Sequence, residues 1–100
     1  MRLKPGVRAL GLKPEILLAI MVAESVFLPD ELVITSITEG RHSRGSEHYT
    51  GMAFDARIRD VGKSRAKEIT RNIHVGLGDD YDVVLEETHL HVEFDPKSPY

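Results

Sequence analysis

The stretch YDVVLEETHLHVEF, residues 81–94, decides the fold. Residues 81–87 are rich in branched side chains and read as a strand. Residues 89–94 alternate strictly: Leu90, Val92 and Phe94 against His89, His91 and Glu93. A period of two sends the first set to a core and the second to the opposite face. With Thr88 in a tight connection, the two strands pair as a hairpin, which makes the sheet antiparallel here. Parity groups Glu86 with Val84 and Asp82, and Glu87 with Tyr81, Val83 and Leu85. If the latter set faces the core, Glu86 shares the histidine face.

Working outward, residues 63–75 read as a helix with Ala66, Ile69 and Ile73 as its apolar stripe. Lys63, Lys67 and Arg71 point outward, and Gly76 and Gly78 stop it. Residues 52–58, MAFDARI, alternate as a strand, with Met52, Phe54, Ala56 and Ile58 opposite Ala53, Asp55 and Arg57. The Gly-, Ser- and charge-rich segment 38–51 reads as a loop, long for a small domain. Residues 32–37, LVITSI, read as a strand. Residues 14–28, PEILLAIMVAESVFL, read as a helix opened by Pro14 and Glu15 and ended by Pro29. It is apolar nearly all round, so it is expected to be covered on most sides. It is shorter than the ~20 apolar residues of a bilayer span and is interrupted by Glu24. The expected fold is a single α+β domain over residues 1–100, core 14–95: a small, mainly antiparallel sheet with helices packed on one face.

A net charge of −3 argues against nucleic acid as the main partner, because phosphate binding calls for a basic surface. The chain has no Cys, so any metal must be held by His, Asp or Glu. Residues 1–7 carry Arg2, Lys4, Pro5 and Gly6 and do not resemble a signal peptide. The expectation is a monomer, cytoplasmic when made.

Two imidazoles at i, i+2 on one sheet face, His89 and His91, can address a common centre. A polar face turned to water is the ordinary alternative. Asp55 changes the balance, because it lies on the polar side of its own strand, and His48 stands just before that strand. If the strands 52–58 and 89–94 are neighbours, His48, Asp55 and His91 converge. Two imidazoles and a carboxylate form a three-ligand zinc site with an open fourth position, the pattern of catalytic zinc. A peptidase also needs a general base beside its water; Glu86 is the candidate and Glu87 its competitor. His89 would then hydrogen-bond the oxyanion. Glu93 either orients a ligand histidine or faces water.

The stretch SEHYTGMAFD, residues 46–55, resembles the Ser-x-His-x-x-Gly-x-Ala-x-Asp motif of the zinc D-Ala-D-Ala carboxypeptidases and related peptidoglycan peptidases. HLH, residues 89–91, resembles their His-x-His motif. The segment from Gly40 through Asp55 is also similar to the zinc-site pattern of the hedgehog signalling domain, and the likeness runs through residues 36–94.

The resemblance implies Zn2+ held by His48, Asp55 and His91, with His89 beside the metal as a non-ligand and Glu86 as the preceding acid. It makes Gly51 and Ala53 packing positions and Ser46 a support for the loop. Relatives bind the substrate carboxylate with an Arg upstream of the first motif. Arg41 and Arg44 are the candidates, though neither falls clearly in that register, and His42 sits at the cleft rim. The implied activity is hydrolysis of cell-wall stem peptides, in a phage lysis protein or a bacterial enzyme. The alternative is a non-catalytic zinc-binding recognition domain, as in the hedgehog proteins.

Overall fold

In the computed structural model, residues 1–8, 12–39 and 52–96 are described. The elements in chain order are β1 (Arg2–Leu3), α1 (Pro14–Phe27), β2 (Val33–Glu39), β3 (Met52–Arg57), α2 (Lys63–Leu77), β4 (Tyr81–Leu85) and β5 (His89–Phe94). The strands form one open sheet in the order β1-β2-β3-β5-β4. Every pairing is antiparallel except β1 with β2. The described residues therefore form an α+β fold with a mainly antiparallel sheet and two helices.

Alternation builds the core. Ile34, Phe54, Ala56, Leu90 and Val92 come from one face of the sheet and meet Ile16, Ala19, Ile20, Ala23 and Phe27 of α1. Ala66, Ile69 and Ile73 of α2 join the same cluster. Both helices thus cover one face, and the residues one position away on each strand are left on the other. Sinking each large apolar side chain is worth ~1.5–3 kcal/mol, which fixes the register: a one-residue slip would turn the whole apolar row to water.

Pro14 occupies the first turn of α1, where its missing N–H costs nothing. Leu28 is extended ahead of Pro29 and ends the helix. Only part of α1 is covered: Leu17, Leu18 and Met21 stay about half exposed or more. No helix among the described residues is long and apolar enough to cross a membrane.

The strands and helices differ in detail from the sequence reading. β1 was not expected, because two residues carry no periodic signal. β2 runs to Glu39, two residues into the expected loop, because Thr38 and Glu39 still pair with Ala53 and Met52. α2 continues through Gly76 to Leu77 and stops at Gly78, whose φ of 86° suits glycine and whose N–H bonds to the His74 carbonyl. β4 stops at Leu85, so Glu86 and Glu87 lie in the connection to β5 and not at the strand's end. Asp95, just past the end of β5, donates its N–H to the Asp80 carbonyl at 2.7 Å.

Candidate functional site

The sheet face opposite the helices carries the polar alternates of β2, β3 and β5. Antiparallel pairing sets them in rows. One row runs Ser36, Asp55, His91, Val84, each the register partner of the next. The row beside it contains Arg57 and His89, and the row on the other side contains Thr38, Ala53, Glu93 and Asp82. Direct partners across a sheet have Cβ atoms about 4.5–5.5 Å apart, so side chains within a row can touch.

Asp55 and His91 do. Asp55 Oδ1 lies 2.8 Å from His91 Nδ1. The other ring nitrogen, Nε2, lies 3.0 Å from Glu93 Oε1. His91 is thus gripped at both nitrogens by carboxylates, with Glu93 about one-sixth exposed. Burial pulls the His91 pKa down, but hydrogen bonds to Glu93 and Asp55, and the charges of both, outweigh it. The net effect holds the imidazolium above its ordinary range.

His89 stands beside this pair. Its Nε2 is 2.7 Å from Glu86 Oε1 and 3.8 Å from Asp55 Oδ2. Its Nδ1 is 3.0 Å from the Thr88 hydroxyl. If Thr88 donates to Nδ1, the proton of His89 sits on Nε2 and points to Glu86. The Glu86 N–H donates to the His89 carbonyl at 2.8 Å, and this closes the turn that carries the carboxylate back over the ring.

Glu86 reaches the site face from the connection rather than from strand parity. Tyr81, Val83 and Leu85 do lean on the core, as the parity argument required. Tyr81 is the best anchored of them, its hydroxyl donating to the Glu15 carbonyl at 2.8 Å. Burial of its ring, with Glu15 and Asp80 near, raises the Tyr81 pKa. Glu87 is exposed.

His48, Arg41, His42, Arg44, Ser46 and Gly51 lie outside the described residues. Of the expected ligand set, Asp55 and His91 are therefore the described pair. Among the described residues, no group of three or more His, Asp or Glu side chains forms a complete ion site. The donor chemistry of the pair suits a metal. If Glu93 accepts from Nε2, a neutral imidazole leaves an unprotonated Nδ1 toward Asp55, and a carboxylate behind a ligand histidine is the usual support in metal sites. Ala53, in the Glu93 row, is buried at 3% exposure despite facing away from the helices.

The sequence reading missed the sheet edge beside Asp55. Between Ile34 and Ser36 the β2–β3 register shifts, leaving Thr35 as the extra residue of a bulge. The Thr35 hydroxyl donates to the Asp55 carbonyl at 3.3 Å. No periodic pattern announces a bulge. Comparison of the chain with protein-family models, curated proteins and solved structures gave no match.

Proposed function

We propose that this chain is a zinc-dependent peptidase that hydrolyses a peptide bond in bacterial cell-wall stem peptides, acting as a D-Ala-D-Ala carboxypeptidase or as an endopeptidase of the lysis type. The observation that carries the reading is the Asp55–His91 contact at 2.8 Å, with the Glu86–His89 pair on the same sheet face. The motif resemblance at residues 46–55 and 89–91 supplies the substrate class.

His48, Asp55 and His91 would hold the ion. Zinc in such a site supplies Lewis acidity and lowers the pKa of bound water to about 7. The remaining work falls to the chain. Glu93 fixes the ring of His91 by accepting its Nε2 proton. Glu86, exposed beside His89, takes the proton of the attacking water and returns it to the leaving amine. His89, in the tautomer with its proton on Nε2, would offer that N–H to the oxyanion that develops on the substrate carbonyl.

The test is mass spectrometry of cell-wall fragments incubated with the zinc-loaded chain. Release of D-Ala, or cleavage of another stem bond, supports the reading. Stoichiometric zinc with every stem peptide intact overturns it in favour of a zinc-binding recognition domain. A chain that takes up no zinc overturns both.

A further inference from the structure

Helix α1 carries two apolar faces, and the fold covers one of them. Ile16, Ile20, Ala23 and Phe27 recur at steps of four, three and four residues and are buried in the core. Pro14, Leu18, Met21, Ser25 and Leu28 recur at the same alternating steps on roughly the opposite side of the helix, and all five are exposed. Leu18 is 52% exposed, Met21 61%, and Leu28, which ends the helix, 66%. Leu17 lies beside them at 48%. Alternating steps of four and three are the spacing at which one helix meets another along a seam. Helix α2 meets α1 elsewhere, at Val22, whose Cγ1 would stand 3.0 Å from a Cβ added at Gly76.

Charge decides what this seam can meet. The sequence of α1, PEILLAIMVAESVF, contains no Lys or Arg, and its two charges, Glu15 and Glu24, lie off the seam. Glu24 is neutralised within the chain by the Met1 ammonium at 2.7 Å. A helix that lies on an anionic membrane has a basic rim, and α1 itself offers none. A second copy of the chain asks for something else, a midline on which no charge meets its own image. The seam supplies such a midline, although the chain as a whole carries a net charge of −3. The size of the face also fits a second copy. A helix of 14 residues is about 21 Å long and about 10 Å wide, so two such faces bury about 1,000 Å² counted over both copies. That area is at the lower limit of a specific interface, where association is weak and reversible.

We propose that the α1 seam is the contact between two copies of this chain, paired antiparallel about a two-fold axis through Met21, where the sequence alone suggested a monomer. Met21 is the midpoint between Pro14 and Leu28, so it meets its own image, and Leu28 lies against Pro14 of the second copy. Antiparallel pairing sets the positive end of one helix dipole beside the negative end of the other. Packed helix axes are 8–10 Å apart, which brings the two Met21 Cα atoms to roughly 5 Å from each other. Ser25 is four residues further along, about 6 Å from the axis, so its two copies stand about 12 Å apart. The sheet face that holds Asp55 and His91 is turned away from α1, and pairing leaves it open. The proposal does not rest on the peptidase reading.

The test is made on the full chain. Sedimentation velocity from about 10 μM to about 1 mM should show monomer giving way to dimer, the span in which an interface of this size associates. Met21→Glu, at an exposed position, should abolish the dimer throughout that span and leave the melting temperature of the dilute monomer unchanged. If Met21→Glu melts early, Leu18→Gln is the milder change on the same seam and should weaken the dimer by about tenfold or more. The chain has no Cys, so an introduced thiol reports only on its own image. Under mild oxidation Met21→Cys should give a disulfide-linked dimer and Ser25→Cys should not, because a disulfide needs Cα atoms within about 7 Å. A wild-type chain that stays monomeric to the highest concentration overturns the proposal, as does a dimer that both seam variants leave intact. Equal cross-linking at Met21→Cys and Ser25→Cys overturns the antiparallel pairing. Flotation with vesicles of phosphatidylcholine and phosphatidylglycerol tests the competing occupant. A monomer that floats with them, and is released by Met21→Glu, would assign the seam to a lipid surface and overturn the pairing.

Discussion

The Asp55 carboxylate and the His91 imidazole meet across two neighbouring strands, Oδ1 to Nδ1 at 2.8 Å, while Glu93 closes on the far nitrogen at 3.0 Å. Asp55 thus stands at one nitrogen of the imidazole and Glu93 behind the other, and each of the three residues has a separable consequence. Asp55→Ala and His91→Ala each remove a donor, and metal analysis should find that either loses stoichiometric zinc. Glu93→Gln keeps an acceptor at Nε2 but loses its charge. Its zinc affinity should fall by about ten- to hundredfold, the usual cost of losing the group behind a ligand histidine. Competition with a chromogenic chelator reads all three. Zinc bound at wild-type affinity by His91→Ala would dismiss the site.

Glu86 and Glu87 are adjacent in sequence but unlike in place. Both are exposed in the connection, but Glu86 bonds to His89 at 2.7 Å. Glu86→Gln should therefore retain zinc and lower the rate of stem-peptide hydrolysis by about 10²–10⁴, the range for loss of a general base. Glu87→Gln should stay near wild type. Equal losses in both variants would place the base elsewhere.

The proton on His91 links pH to both stability and metal uptake, with opposite signs. In the metal-free chain its pKa is raised above the ordinary value of about 6.5 by Glu93 and Asp55, against the opposing pull of burial. A group that binds its proton more tightly when folded stabilises the fold fully below its unfolded pKa. That contribution is lost as pH rises through the folded pKa. Metal-free protein should accordingly melt at progressively lower temperature as pH rises from about 6 through the neutral range, and His91→Gln should flatten the trend. Zinc must displace the same proton, so its apparent affinity should increase over that window. Melting curves and chelator competition at matched pH values check the two slopes. A zinc affinity that is flat or falls with pH would contradict the assignment of His91 as a ligand.

The sheet was legible because β3 and β5 alternate without interruption. Leu90 and Val92, with Phe54 and Ala56, could be buried only by turning His91 and Asp55 to one common face. Neighbourhood of the two strands was the missing premise, and backbone pairing supplies it. What could not be read was backbone-made. β1 is two residues long, and the Thr35 bulge leaves no compositional trace. Glu86 was placed by parity on the site face but arrives there from a turn, because β4 ends one residue earlier.

Arg65 is the clearest case of a long-range contact hidden in a surface pattern. A charged residue on an amphipathic helix is ordinarily solvated. Instead the Arg65 Nη2 donates to the carbonyls of Val26, Phe27 and Leu28, each at 3.0 Å, where α1 leaves its last acceptors unpaired. Nε reaches Asp30 at 3.1 Å and Nη1 reaches Glu68 at 2.7 Å, so both flanking carboxylates hold the guanidinium flat against the helix end. A planar fork can serve several acceptors at once; an ammonium is a point charge on a flexible stem. Arg65→Ala should lower the melting temperature and speed amide exchange in the last turn of α1, leaving zinc content unchanged. Arg65→Lys should recover less than half of the loss. Full recovery by Lys would show that charge alone, and not the forked geometry, closes the end of α1.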